Sequence, residues 1–170
     1  MLAAKPTFKA EENLAPHIWL VAYDVPEDQV LTIAKSDAGI FNGLTNSDAL
    51  SEFHTQAKDR YAYIGYLEEE LKKYCRSDNK VGCVEQVEKD QAKLRPLLQD
   101  NQKMIERAEK ITKFRVHYSL MELHIQSPLP KFNAGRELLL VHYADLFLSG
   151  AQESALEKVC SDITFWRSVG

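Results

Sequence analysis

The chain is poor in residues that break helices. Only seven of its 170 residues are glycine and six are proline. Most of them fall outside the stretches of regular apolar spacing, which argues for long helices rather than many short strands. A basic field is also missing. The formal net charge is -4 and no Lys/Arg-rich patch occurs, so nucleic acid is not an expected partner. No apolar run is long enough to cross a bilayer. The best candidate, 138–148, is interrupted by His142 and Asp145 and falls well short of the roughly 20 residues required. There is no Gly-x-Ser-x-Gly elbow, no phosphate-cradling glycine loop and no dinucleotide fingerprint. No cofactor is therefore expected. The N-terminus has no signal-peptide pattern, because Lys5, Lys9, Glu11 and Glu12 break any apolar core. If the protein is exported, its targeting segment lies outside this chain. Contact with a membrane is then expected only through such a segment.

What is present is helical periodicity. Apolar content of 45% and charged content of 27% are ordinary for a single globular domain, which at this length buries about 70% of its unfolded surface. The organising stretch is 47–125, read as two long amphipathic helices folded back on each other. In the first, Leu50, Phe53, Ala57, Tyr61, Ile64, Leu67, Leu71 and Tyr74 recur at steps of three and four. Thr45 and Asp48 offer a capping box. Glu68 with Lys72 and Glu69 with Lys73 form i,i+4 pairs on the wet side.

The connection between the two helices has a cysteine at each end, Cys75 and Cys83. Between them Ser77, Asp78, Asn79 and Gly82 favour bends. Two helices leaving a short turn bring such a pair within disulfide range. Closing so short a loop stabilises by about 2–3 kcal/mol in the chain-entropy model. The leading expectation is a Cys75–Cys83 disulfide in an extracytoplasmic, periplasmic setting. Two reduced thiols in a cytoplasmic protein are the alternative. A metal site at the turn lacks nearby Cys or His ligands.

The remaining segments follow from local pattern. Residues 1–12 read as a polar arm. Ile18-Trp19-Leu20-Val21-Ala22-Tyr23 is the one β-like run, set between Pro16 and Pro26. A single strand makes no sheet. It is expected as an apolar extended strap that buries Trp19 and Tyr23 on the helices, with the first turns of a short helix as the other reading. After the turn, Val84, Val87, Leu94 and Leu98 begin a second stripe, which Pro96 is expected to kink or break near Leu94–Arg95. Ile105, Ala108, Ile111, Phe114, Tyr118 and Met121 continue it, and Pro128 and Pro130 end it. A third helix over 133–148 is apolar nearly all round and hence central, with Gly150 as its C-cap. A last helix over 152–168 carries Leu156, Val159, Cys160, Ile163 and Trp166 on one side, which predicts a buried Cys160 thiol.

Candidate chemistry is sparse. His117 and His124 are i,i+7 on one face, and His142 lies on the next helix, three residues from Asp145. These three histidines are the one candidate metal or enzymatic cluster, although no His-Glu-x-x-His spacing occurs. Scattered structural or surface histidines are the simpler reading. Leu146, Gly150, Ala155, Leu156, Asp162 and Phe165-Trp166-Arg167 partly resemble a tetratricopeptide-type hairpin, but the earlier chain shows no 34-residue period.

Several short motifs also resemble a family of bacterial proteins with no assigned activity. They are Trp19-Leu20-Val21-Ala22-Tyr23-Asp24-Val25-Pro26, Ser127-Pro128-Leu129-Pro130, Gly135-Arg136-Glu137-Leu138-Leu139-Leu140, Ser149-Gly150 and Phe165-Trp166-Arg167. The resemblance implies an N-terminal membrane anchor and a chain that continues past Phe-Trp-Arg. It supplies no site residue.

These readings give an all-α expectation: an antiparallel helical hairpin plus further helices in a bundle or short solenoid. The arm, strap and loop of 1–46 pack on a helical region of 47–170 within one structural domain. The expected role is a non-catalytic interaction or scaffold module of an extracytoplasmic, membrane-anchored bacterial protein. Its partner is another protein or the remainder of the full-length chain. The expected contact surface is Ile163, Trp166 and Val169. The alternative is a helical metal-binding or enzymatic domain using His117, His124 and His142.

Overall fold

The structure, a computed structural model, describes residues 12–44, 52–53, 60–62, 68–71, 73–75, 79–114, 120–121 and 132–169. The fold is all-α, and among the described residues there is no β-strand. In chain order the helices are α1 (Leu14–Leu20), α2 (Val30–Asn42), α3 (Glu68–Leu71), α4 (Cys83–Asp100), α5 (Gln102–Ile111), α6 (Phe132–Leu148) and α7 (Gln152–Val169). A 3-10 turn, Glu27–Gln29, leads into α2.

Helix α6 is the centre. Its Leu138, Leu139, Val141, Tyr143 and Ala144 are buried, and at 100° per residue these positions lie on every side of the helix. A helix of that kind must be covered all round. Helices α3, α4, α5 and α7 pack against it. The cover is supplied by Leu71 and Tyr74, by Val87, Leu94 and Leu98, by Met104, Ile105, Ala108 and Ile111, and by Phe165. Helix α1 adds Leu14, Ile18, Val21 and Ala22 to the same core, and packs against both α5 and α2. Helix α2 packs on α1, and it also meets Phe53 through Phe41 and the Leu120 carbonyl through Asn42.

The run expected as an extended strap is helical over Leu14–Leu20, which is the second of the two readings. Asn13 caps it by accepting the Ala15 backbone N–H at 3.2 Å, satisfying a first-turn donor. The helix buries alternate sides, Leu14 and Ile18 on the main core and Leu20 on a smaller one with Val25, Val30 and Ala34. Trp19 and Tyr23 are only half-buried, a correction to the expectation of full burial. The Trp19 indole N–H donates to the buried carboxylate of Asp37, and the Tyr23 ring packs edge-on against Tyr61.

The hairpin also differs from the long helices expected. The first arm is interrupted at Tyr61 and Ala62, where the Ala62 carbonyl accepts the Asp24 backbone N–H at 2.7 Å. In the second arm α4 continues through Pro96, and the break comes at Asn101. Asn101 is buried, and its side-chain amide donates to the Leu97 carbonyl at 2.8 Å. The same carbonyl accepts the Asn101 backbone N–H at 3.2 Å, so the side chain adds a second bond to it and folds back over the helix end. Helix α5 then stops at Ile111, and Thr112–Phe114, Leu120 and Met121 are not helical.

Cys75 and Cys83 are joined in a disulfide, with Cα atoms 4.3 Å apart. Asn79 stitches the turn. Its amide donates to the Lys73 carbonyl at 3.0 Å and the Gln86 side chain at 3.1 Å. The Tyr74 hydroxyl donates to Asp90 at 2.7 Å, tying the turn down onto α4. At the other end, α6 closes on Gly150, whose φ of +94° is a left-handed value that glycine adopts without a Cβ clash. The Ala151 N–H donates to Leu146 and the Gly150 N–H to Phe147, the paired bonds of a Schellman cap.

The thiol inventory is testable directly. Titration of the unfolded, unreduced protein should find one reactive cysteine, Cys160, and three after reduction. Three before reduction would remove the disulfide and everything argued from it.

Candidate functional site

Helix α7 meets α6 with Ala155, Asp162 and Phe165 buried and Lys158, Val159 and Trp166 half-buried. This corrects the side chosen from periodicity. Leu156, Cys160 and Ile163 had been expected inside, and all three are exposed. The reason lies in Asp162 and Phe165. The Phe165 ring fills the core. Asp162 is 2% exposed, accepts the Trp166 indole N–H at 3.0 Å, and has Arg136 Nε at 3.9 Å. A buried carboxylate needs such partners, and together they set the rotation of the helix.

The outer side of α7 therefore carries a short solvated apolar line among polar residues. Leu156 is 56% and Ile163 47% exposed, with Cys160 between them on the same line at i,i+4 and i,i+7. The other exposed large hydrophobic residues among those described, Ile40 and Val84, stand on separate helices. Of the predicted contact residues, Ile163 lies on this surface. Trp166 is turned toward Asp162 and packs edge-on against Phe165. The Val169 side chain lies outside the described residues.

The histidine cluster has a different setting. His117 and His124 lie outside the described residues. His142 is half-buried on α6, with Nε2 3.8 Å from Glu109 Oε1 on α5. Lys158 of α7 donates to the same carboxylate at 2.5 Å. Burial holds the His142 imidazole below its ordinary value of 6.5, with Lys158 adding to that and Glu109 opposing it. The group is thus a three-helix ion cluster. Among the described residues no set of three or more His, Cys, Asp or Glu is placed to hold a metal ion.

His17 on α1 is arranged in the same way. Its Nδ1 lies 3.7 Å from Glu27, and its ring lies 4.3 Å from Phe114. Burial and then Lys110 push its pKa down, while Glu27 opposes them. Beside it, Arg107 donates to the Tyr23 and Val25 carbonyls, Lys110 pairs with Glu27 and Lys103 pairs with Asp24. These contacts line a surface cleft of about 350 Å³ between the 23–27 loop and α5. Its cations already hold acceptors from the loop, so its chemistry is that of a clamp.

Sequence reasoning singles out neither Asp162 nor the second buried carboxylate. Asp37 of α2 is 1% exposed. It accepts the Trp19 indole N–H at 2.8 Å and the Tyr61 hydroxyl at 2.9 Å. Arg60 Nη2 lies 3.6 Å away, and the same guanidinium sits 4.7 Å over the Phe53 ring. Burial and the bond to Asp37 raise the Tyr61 pKa to about 12, so the hydroxyl keeps its proton and remains a donor. Trp19 and Asp37 are 18 residues apart, with no local periodicity to announce the pair. Asp162 and Trp166, at i,i+4, did carry a visible signal.

No protein-family model matches the chain, and no curated protein and no solved structure matches it.

Two tests follow from these clusters. Asp37→Ala strands an indole N–H, a hydroxyl and a guanidinium, and should cost about 3 kcal/mol in chemical denaturation. A loss below about 0.5 kcal/mol, the range of an ordinary surface site, would show that α2 is held by other means. The second test concerns pH. A base kept neutral by burial binds fewer protons folded than unfolded. Stability is then fully present above the unfolded value of 6.5 and is lost as pH falls through the lower folded values. The double variant His17→Gln/His142→Gln should flatten that acid-side loss. An unchanged slope would assign it to other groups.

Proposed function

We propose that this chain is a non-catalytic interaction module of an extracytoplasmic protein and binds a protein partner through the outer side of α7. The observation that carries the reading is the Leu156–Cys160–Ile163 line, solvated on a helix whose other side is fully used against α6. Apolar residues gathered on one exposed helix face mark contact surfaces, whereas scattered ones do not. The Cys75–Cys83 disulfide supports an oxidising compartment. The resemblance to anchored bacterial proteins supports attachment to a membrane through a segment outside this chain; no helix among the described residues is long and apolar enough to cross one. The non-catalytic part rests on how the titratable groups are used. His17, His142, Glu109 and Asp37 are each engaged in contacts between elements, and the cavity that His17 lines beside Glu27, Arg107 and Lys110 has room for about one water molecule, too little for a substrate.

The face can be interrogated in cells that produce the protein. A photo-reactive benzoylphenylalanine at position 156 or 163 should give discrete protein adducts on irradiation. The same group at Glu88, exposed on α4, should give none. Absence of adducts from 156 and 163, or equal adducts from all three positions, would retire the reading.

A further inference from the structure

The exposed line of α7 is longer than its apolar centre. It runs Glu153, Leu156, Cys160, Ile163, Arg167, and all five residues are exposed. Counted from Cys160 they stand at -7, -4, 0, +3 and +7, the two-step spacing of a helix seam. Read in either direction, the order is a charged group, an apolar group, the thiol, an apolar group and a charged group. The two terminal charges are opposite. Neither Glu153 nor Arg167 has an ion-pair partner within the chain among the described residues.

We propose that the occupant of this face is a second copy of the chain, its α7 laid antiparallel across the first about a twofold axis at Cys160. The proposal rests on the reading of the face as an interaction surface and names what covers it. In the antiparallel arrangement Glu153 meets the partner's Arg167, and Arg167 meets the partner's Glu153. Leu156 lies near the partner's Ile163, again twice, and Cys160 lies against the partner's Cys160. A parallel copy would set Glu153 against the partner's Glu153 and Arg167 against the partner's Arg167, so charge selects the antiparallel form. Each residue and its counterpart exchange roles across the axis, which is the condition for a closed, isologous dimer rather than an open chain.

The seam is short. The fourteen residue steps from Glu153 to Arg167 span about 21 Å of helix, and its apolar contacts come from two residues and a thiol per copy. An interface of that size lies at the small end of specific association. The dimer is accordingly weak and concentration-dependent, with copies held on one membrane favoured to pair by their local concentration.

Sedimentation velocity on the purified, disulfide-intact protein, from about 10 to about 500 micromolar, tests this. A reversible monomer–dimer equilibrium is expected. Arg167→Glu should weaken it about tenfold or more by setting like charges opposite each other. Adding Glu153→Arg should restore it. Cys160→Ser should retain the equilibrium. Glutathione disulfide should convert wild type to a covalent dimer: two Cys160 thiols give up two electrons and two protons, one S–S bond forms between copies, and glutathione disulfide is reduced to two glutathiones. Cys160→Ser should give no such product. A protein that stays monomeric throughout, or charge variants in which single and double reversals behave alike, would overturn self-pairing. That outcome leaves the adduct experiment at 156 and 163 to judge the face itself, because the adducts report a partner of any identity. All five positions are solvent-exposed, and circular dichroism of each variant verifies the fold.

Discussion

Helix α6 carries buried residues around most of its circumference, and the rest of the molecule is arranged to cover them. Leu138, Leu139, Val141, Tyr143 and Ala144 are distributed around its circumference and buried. Each large aliphatic or aromatic side chain of this kind gains about 1.5–3 kcal/mol on burial. A typical intramolecular hydrogen bond contributes about 1 kcal/mol net. Covering α6 therefore outweighs any single polar contact in fixing where α3, α4, α5 and α7 sit. The disulfide acts on the same problem from the chain-entropy side, because Cys75 and Cys83 hold the start of α4 beside Tyr74, which itself faces α6 in the core.

Polar contacts fix what α6 does not touch. Among the described helices α2 packs on α1, and the two are tied by Asp37 and Trp19. The loop between them is fastened to α5 by Arg107, Lys103 and Lys110. The same chemistry recurs at the far end, where Asp162 takes the indole N–H of the second tryptophan and has Arg136 alongside. Both tryptophans of the chain thus direct their one donor at a buried carboxylate with a guanidinium near it. A buried carboxylate left without such partners is costly, so these pairs specify register and rotation as much as they add stability.

How far the sequence alone leads depends on which force decides each element. Helix α6, its Gly150 cap and the extent of α7 were legible because strong local patterns specified them: an apolar run, a glycine after the last periodic residue, and steps of three and four. The disulfide was legible from two cysteines flanking a short turn. The interruptions at Tyr61–Ala62 and Asn101 were not, because their causes are contacts with distant backbone or a side chain folding back on its own helix end. The break expected at Pro96 does not occur. Loss of one backbone bond did not end a helix whose Leu94 and Leu98 both pack on the core. Of the candidate site residues, His142 was placed on the correct helix, but its partners Glu109 and Lys158 come from two other helices. Such a triple has no signature in any one segment.

The rotation of α7 shows why an apolar stripe is an ambiguous signal. Two lines on this helix qualify: Ala155, Val159, Asp162 and Phe165 with Trp166, and Leu156, Cys160 and Ile163. Counting apolar side chains, four on the first line and three on the second, barely separates them. The first wins because it buries Phe165, the largest single gain available on the helix. It also brings Asp162 within reach of Trp166 and Arg136, so the carboxylate enters the core already partnered. Turning Leu156 and Ile163 inward would move Phe165 toward solvent and part Asp162 from Arg136. The exposed line is thus the remainder of a choice made by the core. A helix with two apolar lines can satisfy only one of them against a single neighbour, and the other stays available to a surface from outside.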